Sequence, residues 1–478
     1  MPTTLHRRRL LQGLAASSLV GLSPHGLAAG ERPDVLFISI DDLNDWAGIL
    51  GGHPQARTPN LDRLAQKGLS FDNAHCAAPA CNPSRGAVLT GRHPTRSGLY
   101  DNQQPFRGAM PSVKTLPQLF RGAGYKALGC GKIFHAGDPA SWDEHEPEGG
   151  CGMPKGAGRA FPSDGKRPLN GISGAGSFDW GAGRSGRDGA TSDDRVADQV
   201  IKWLKKEDQQ PVFIGCGFFR PHLPWFVPKK YFEMFPLDSV QLPAVREDDL
   251  DDVPEAGKRM ARLADHQKIV KSDQWKEAVQ AYLAAVAFAD AMLGRVIDAL
   301  IDQGRARKTI VVVWSDHGWS LGTKFHWKKF ALWEECTRVP LVLKVPGLTE
   351  KGAVCSRPVG LLDIAPTLLD LCGIDIPEAM DGRSLRPLLT DPQASWDRPV
   401  LTTHGRGNHA LRSERWRYIH YADGSEELYD HQSDPNEWTN LARDPGSAMV
   451  KAELAAFLPS SEAAEAPQGE HDCEPVGD

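Results

Sequence analysis

Two pairs of polar residues stand where apolar runs stop. Asp41-Asp42 follows Asp34-Val35-Leu36-Phe37-Ile38-Ser39-Ile40, and Asp316-His317 follows Thr309-Ile310-Val311-Val312-Val313-Trp314-Ser315. Each run is short and apolar enough for a buried strand. Neighbouring carboxylates at the end of such a strand are unfavourable unless positive charge meets them. A divalent cation is the simplest partner. Asp41, Asp42 and Asp316 offer hard oxygen donors, which suit Ca2+ first and Mg2+ second. His317 is an unusual calcium ligand, so it either completes the metal set or turns towards a bound anion. The third chemical element is Cys81-Asn82-Pro83-Ser84-Arg85-Gly86-Ala87-Val88-Leu89-Thr90-Gly91, which reads C-x-P-S-R-x-x-x-L-T-G. A frame of that length rarely arises by chance. His222 lies in Pro221-His222-Leu223-Pro224, where two prolines stiffen the loop that holds the imidazole.

These groups need a scaffold that brings strand ends together. The runs at 34–40, 211–219 and 309–314 read as buried strands of an α/β protein, and ligand sites in open α/β sheets lie beyond the carboxyl ends of strands. Thr58 and Pro59 open a helix. Asp193 to Glu207 has the spacing of a short amphipathic helix. Gln274 to Gln303 is a long Ala-rich helix, capped by Ser272 or Asp273 and stopped at Gly304. Residues 136–195 are rich in Gly, Pro and Ser and read as a loop region at the mouth of a pocket. Near the end, Leu411 to Ile419 and Glu427 to Asp430 suggest short antiparallel strands, closed by Pro435 to Leu441. The Ala- and Pro-rich acidic tail beyond Ser460 is expected to be disordered.

The chain has 478 residues, 40% hydrophobic and 24% charged, with a net charge of −6. That is globular composition with no basic field to bind nucleic acid or anionic membrane. His6-Arg7-Arg8-Arg9, a modestly apolar stretch from Leu10 to Leu22 and the small residues near Ala28 and Ala29 read as a twin-arginine signal. The stretch is too short and broken to span a bilayer. It implies bacterial export in folded form, to the periplasm or beyond. Nine cysteines leave eight once Cys81 is set aside, and in an exported protein some can pair. Cys216 and Cys372 lie in apolar runs and read as packed thiols. The expected division is a signal over 1–29, a catalytic domain over 30–385, a C-terminal subdomain over 386–460 and a disordered tail over 461–478.

From Pro33 to about Leu441 the chain resembles the type I sulfatases. The Cys81 run is similar to their signature, in which a formylglycine-generating enzyme oxidises the cysteine to formylglycine, an aldehyde hydrated to a gem-diol. Thr58-Pro59-Asn60-Leu61-Asp62-Arg63-Leu64-Ala65 matches another family phrase. Gly124 to His135 resembles the second signature, G-Y-x-T-x-x-x-G-K-x-H, with two departures: Ala127 replaces Thr, and one extra residue separates Lys132 from His135. That K-x-F-H form and the Asp316-His317-Gly318 variant resemble the iduronate-2-sulfatase branch.

The resemblance implies an alkaline-phosphatase-like α/β sandwich, a large mixed, mostly parallel sheet between helices, with a small C-terminal antiparallel sheet. It implies a sulfuric ester hydrolase acting on a sulfated sugar or polysaccharide. Asp41, Asp42, Cys81 as formylglycine, Asp316 and His317 would surround Ca2+. Arg85, Lys132 and Lys329 would offset charge on the transferring group, Arg85 chiefly by holding the formylglycine and metal ligands in place. His135 would contact the diol as a base, and His222 or Lys329 would protonate the leaving alcohol. Lys132, His222 and Lys329 would also bind substrate, with Lys324 and Lys328 as competing choices for Lys329. Trp46, Trp225 and Trp327 are either sugar-stacking rings or core. The same fold suits a phosphonate or phosphodiester hydrolase that keeps the formylglycine, and choline sulfate is a smaller-substrate alternative. A non-catalytic glycan binder would have lost a site residue, and none is lost. Oligomeric state is left open by the sequence.

Overall fold

The computed structural model describes residues 32–146, 168–173, 178–183, 191–207 and 209–470. The signal-like segment 1–29 and most of the Gly- and Pro-rich region lie outside the described residues.

The apolar runs become the centre of an eight-stranded sheet. Asp34–Ile40 (β1), Leu69–Phe71 (β2), Lys126–Gly131 (β3), Glu144–Glu146 (β4), Val212–Phe218 (β5), Thr309–Ser315 (β6), Leu341–Lys344 (β7) and Ala353–Cys355 (β8) pair in the order β8-β2-β7-β6-β1-β5-β3-β4. Only β7 runs against its neighbours. β1 lies between β5 and β6, with Ile40 level with Phe218 and with Ser315. The residues that follow all three strands therefore emerge side by side at one edge. Every residue of these three strands is buried. Burial on both faces is why each reads as a continuous apolar run rather than an alternation.

Helices cover both faces. Pro59–Ala65 (α1), Ser192–Leu204 (α4) and Trp275–Asp302 (α5) pack on one, and Cys81–Thr90 (α2), Leu116–Gly122 (α3) and Ile364–Leu371 (α6) on the other. α4 buries Val196, Ala197, Val200 and Trp203, one helical stripe. α5 begins later than its expected caps. Its N-cap is Gln274, because Ser272 ends the preceding helix by donating to the Ile269 carbonyl and Asp273 turns to φ 54. Gly304, at φ 67, ends it as expected. Thr58 precedes α1 without a side-chain cap; its hydroxyl accepts from Gly48 N and donates to Asp62. α2 is buried along all ten residues.

Val400–Thr403 (β9), His409–Arg412 (β10), Trp416–His420 (β11) and Glu426–Asp430 (β12) form an antiparallel sheet. Alternate side chains face opposite ways. Ala410, Ile419 and Tyr429 pack on Leu332 and Trp333, whereas Leu411, Tyr418 and Leu428 pack on Leu454 of Ala448–Ala455 (α7). An ion-pair network bolts this sheet to the segment between β6 and β7. Buried Arg417 pairs with Glu334 and, at 2.6 Å, with Glu437, and its Nη1 donates to the Leu332 carbonyl.

One expectation changes, and two points the sequence leaves open are decided for the described residues. Residues 461–470, expected to be disordered, run as an extended strap. Ala463, Ala466 and Gly469 donate backbone N–H groups to Thr95, Gly98 and Gln103 carbonyls, and Glu462 meets His409 Nε2 at 3.0 Å. Backbone pairing of this kind does not depend on composition, which is why composition misleads. Trp46, Trp225 and Trp327 are core: none is more than 1% exposed, and each meets another aromatic ring, so no face is open to a sugar. The seven described cysteines are all buried free thiols. No described helix is long and apolar enough to cross a membrane.

Candidate active site

The site forms where β1, β5 and β6 end. Cys81 opens α2 after an extended Ala80 (φ −153, ψ 141), so its side chain sits at the positive end of a helix, a place that favours anions. Its Sγ lies 3.0 Å from Lys329 Nζ, 3.2 Å from His317 Nε2, 3.8 Å from Asp41 Oδ1, 3.9 Å from Lys132 Nζ and 4.0 Å from Asp42 Oδ1. Burial pushes the Cys81 thiol up to about 11, against the pull of Lys132 and Lys329. A thiol so held is protonated at neutral pH and is a poor nucleophile.

Arg85 stands one turn further along α2 and acts as a strut. Nε donates to Asp316 Oδ2 (2.9 Å), Nη2 to Asp41 Oδ1 (2.8 Å), and Nη1 to the Lys132 and Ile133 carbonyls. Lys132 Nζ pairs with Asp41 Oδ2 at 2.5 Å. Burial raises the Asp41 carboxyl, but Lys132 and Arg85 outweigh it and hold it well below the ordinary range. Lys132 reaches the site through a tight approach: its N–H donates to the Gly217 carbonyl, and a Cβ on Gly217 would lie 2.3 Å from the Lys132 carbonyl.

The loop after β6 brings one of its three lysines to Cys81. Lys329 Nζ meets Asp42 Oδ1 at 3.2 Å beside Cys81, whereas Lys324 pairs with Asp249 (2.7 Å) and Lys328 with Asp265 (3.2 Å). His135 is buried three residues beyond Lys132.

Two of the three site imidazoles have Nδ1 held by a backbone carbonyl. His317 Nδ1 faces the Gly318 carbonyl at 3.0 Å, and His222 Nδ1 faces the Leu223 carbonyl at 2.6 Å. A carbonyl only accepts, so each Nδ1 carries the proton and each Nε2 points into the site. His222 Nε2 is 3.8 Å from Asp42 Oδ2. Burial lowers the His222 imidazole, but Asp42 lifts it to about 9.

The donors fit a hard divalent cation. Asp42, Cys81, Asp316 and His317 each place a ligand atom within 4.8 Å of the others, all buried. Asp42 Oδ2 is buried without a hydrogen-bond partner among the described residues, and His317 turns Nε2 towards Cys81, Asp42 and Asp316, where it would complete the ligand set. A second acid–imidazole cluster, Glu334-His431-Glu437, lies away from Cys81, with Arg412 and Arg417 pairing its carboxylates.

Several supports carry no signal in the sequence. Asp193 accepts from Phe219 N (2.8 Å) and Arg220 N (2.9 Å), fixing the start of the His222 loop. Tyr282 of α5 donates to the Asp42 carbonyl (2.8 Å), where Asp42 turns to φ 62. Ser315 Oγ accepts from Leu43 N and donates to the His317 carbonyl. Asn82, next to Cys81, is held by Asn102 and the Asp101 and Gln104 carbonyls. Each acts through a long-range hydrogen bond to backbone, which leaves no local pattern.

A mostly parallel sheet whose strand ends carry buried acids, lysines and imidazoles around one cysteine defines a hydrolase of the sulfatase and alkaline-phosphatase-like fold. The sulfatase family model matches residues 33–374, and the N-sulphoglucosamine sulphohydrolase C-terminal model matches 322–463. The chain belongs to the sulfatase family and is an enzyme of that class. It is 39% identical over 449 residues to a sulfatase of Formosa agariphila, covering 91% of this chain and 87% of that one. It is 28% identical over 434 residues to human iduronate 2-sulfatase, covering 79% and 76%. It superposes on the phosphonate monoester hydrolase of Agrobacterium radiobacter with a TM-score of 0.73 at 25% identity, covering 89% and 94%. The iduronate-2-sulfatase-like relationship read from K-x-F-H and D-H-G agrees with these matches.

Proposed function

We propose that this sulfatase acts on a sulfated sugar within a polysaccharide, using formylglycine made from Cys81 and a Ca2+ held by Asp41, Asp42, Asp316 and His317. The observation that carries the reading is the convergence on Cys81 Sγ of two carboxylates, two lysines and an imidazole, all within 4.0 Å. The hydrated aldehyde would supply the attacking hydroxyl, and the cation would polarise the sulfate oxygens. Lys132 and Lys329 offset the charge of the transferring group. His222, with Nδ1 tied to Leu223, presents Nε2 to the leaving oxygen as proton donor, with Lys329 as its neighbour in that role. His135 is the base assigned to the final proton removal. Arg85, fully engaged with Asp41, Asp316 and backbone, positions rather than binds. The sugar class draws on the relation to iduronate 2-sulfatase. Segment 1–29 is read as a twin-arginine export signal to the periplasm or beyond, with the catalytic part over 30–385 and the C-terminal subdomain over 386–460.

A second reading, a phosphonate or phosphodiester hydrolase on the same scaffold, is favoured by the superposition on the phosphonate monoester hydrolase. Two measurements test both. Protein co-expressed with a formylglycine-generating enzyme should show a Cys81 peptide lighter by about 18 Da, the change for replacing thiol and hydrogen by a carbonyl oxygen. Turnover should then favour aryl sulfate over an aryl phosphonate. An unmodified Cys81 beside a converted control sinks the mechanism, and a preference for the phosphonate selects the second reading.

A further inference from the structure

The lysines of the Cys81 site and of the loop after β6 are engaged by acids, but the neighbouring Arg262 is not. Lys132 and Lys329 pair with Asp41 and Asp42, Lys324 with Asp249 and Lys328 with Asp265. Arg262 makes no ion pair among the described residues. It precedes the helix Leu263–Lys271 and is only partly buried. Its backbone N–H donates to His326 Nδ1 at 3.0 Å, and its guanidinium lies over the Phe330 ring, 4.6 Å from the centroid.

Phe330 ties that guanidinium to the reaction centre. It directly follows Lys329, whose Nζ lies 5.7 Å from the same ring and 3.0 Å from Cys81 Sγ. Its N–H donates to the carbonyl of Pro79, two residues before Cys81. His404 also stands against the Phe330 ring, with ring centroids 5.9 Å apart. His404 Nδ1 is buried with no hydrogen-bond partner among the described residues. Burial, helped by Arg262, lowers the His404 imidazole to about 4, so it is a neutral hydrogen-bonding group. The nearby Asp101 carboxylate is engaged by Gln103 N (2.7 Å) and Gln468 Nε2 (3.3 Å).

A guanidinium without an acid, held flat on an aromatic ring, is pre-organised for a planar or tetrahedral oxyanion. We propose that Arg262, seated on Phe330 beside His404, binds a second anionic substituent of the sugar whose scissile sulfate reaches Cys81. The substrate is then a polyanionic sugar, and the second group is a ring carboxylate or a further sulfate. A cationic ester such as choline sulfate would meet repulsion at Arg262. The inference rests on the sulfatase reading of the Cys81 site.

Two substrate pairs separate the sources: a 2-O-sulfated hexuronate against its carboxyl-reduced counterpart, and glucosamine 6-sulfate with and without an N-sulfate. The readout is the ratio of kcat/KM within each pair. Arg262→Gln should lower that ratio about tenfold or more in one pair, mainly through KM, and Arg262→Lys should restore part of it. The pair that responds names the group. Equal losses on both members of each pair, or no loss, overturn the proposal. Binding of the same sugars to full-length Cys81→Ser protein, with and without Arg262→Gln, keeps it separate from catalysis. Arg262-dependent preference without wild-type turnover would retain the proposal and sink the sulfatase reading. Turnover with Arg262-independent ratios would do the reverse.

Discussion

Lys329 and Lys324 lie on one loop, both buried, and only one faces Cys81. Lys329→Ala should lower kcat/KM by about a hundred- to a thousandfold, the scale for losing one preorganised charge, with little change in the denaturation midpoint. Lys324→Ala should do the opposite. It leaves Asp249 buried without its ion-pair partner, and urea unfolding should show a loss of about 3 kcal/mol. The metal prediction belongs here too. Chelation by EGTA should abolish turnover and lower the thermal midpoint, and Ca2+ at a hundred times its Kd should restore about 2.7 kcal/mol. The fold should survive chelation, because Arg85 and Lys132 still neutralise Asp41 and Asp316. Residue types and their order mark Asp41, Asp42, Asp316 and His317 in the sequence, and the family resemblance adds Cys81, Arg85, Lys132, His135, His222 and Lys329, the last with Lys324 and Lys328 still competing. Arg262 is not legible there: what distinguishes it is the absence of a partner, and only three dimensions show that.

The elements that carry these residues depend on close backbone approach and on a buried ionic bolt. Gly217→Ala would push a methyl group to 2.3 Å from the Lys132 carbonyl. Overpacking of this kind should cost about 1–3 kcal/mol in chemical denaturation and should lower turnover, since the Lys132 turn must move. Arg417→Met would leave Glu334 and Glu437 without their shared buried partner. It should destabilise by about 3–5 kcal/mol, read as a lower urea midpoint. The central strands are legible because burial on both faces writes a continuous apolar run. β2 and β8, three residues each, are too short to write any pattern, and their pairing comes from neighbours. The start of α5 is hard to place from sequence because nothing caps it with a side chain. The roles of Trp46, Trp225 and Trp327 stay open in the sequence because a tryptophan there does not say which way it faces.

At the scale of the whole chain, the strap over 461–470 ties the end of the molecule to the loop that holds Asn82. Its anchor is Glu462. Burial raises that carboxyl, but the Gly407 N–H and His409 bring it below its ordinary 4.5. Burial also lowers the His409 imidazole below its ordinary 6.5, despite Glu462. Both shifts act in one direction. A depressed carboxyl contributes stability above its unfolded value and loses it as pH falls. A depressed imidazole likewise loses stability as pH falls below 6.5. Removing residues 461–478 should therefore lower the thermal midpoint at pH 7.5, and the gap to the full-length protein should narrow by pH 4.5.

Helix α2 has no exposed residue, and Cys81 is its first. A maturing enzyme that must grip residue 81 can do so only while the polypeptide is still open, before the sheet closes over it. On the formylglycine reading, the ratio of active to inactive molecules would then be set before folding is complete, and adding the maturase to a finished preparation would not raise it. A purified batch would carry a permanent record of how well its host kept pace with translation.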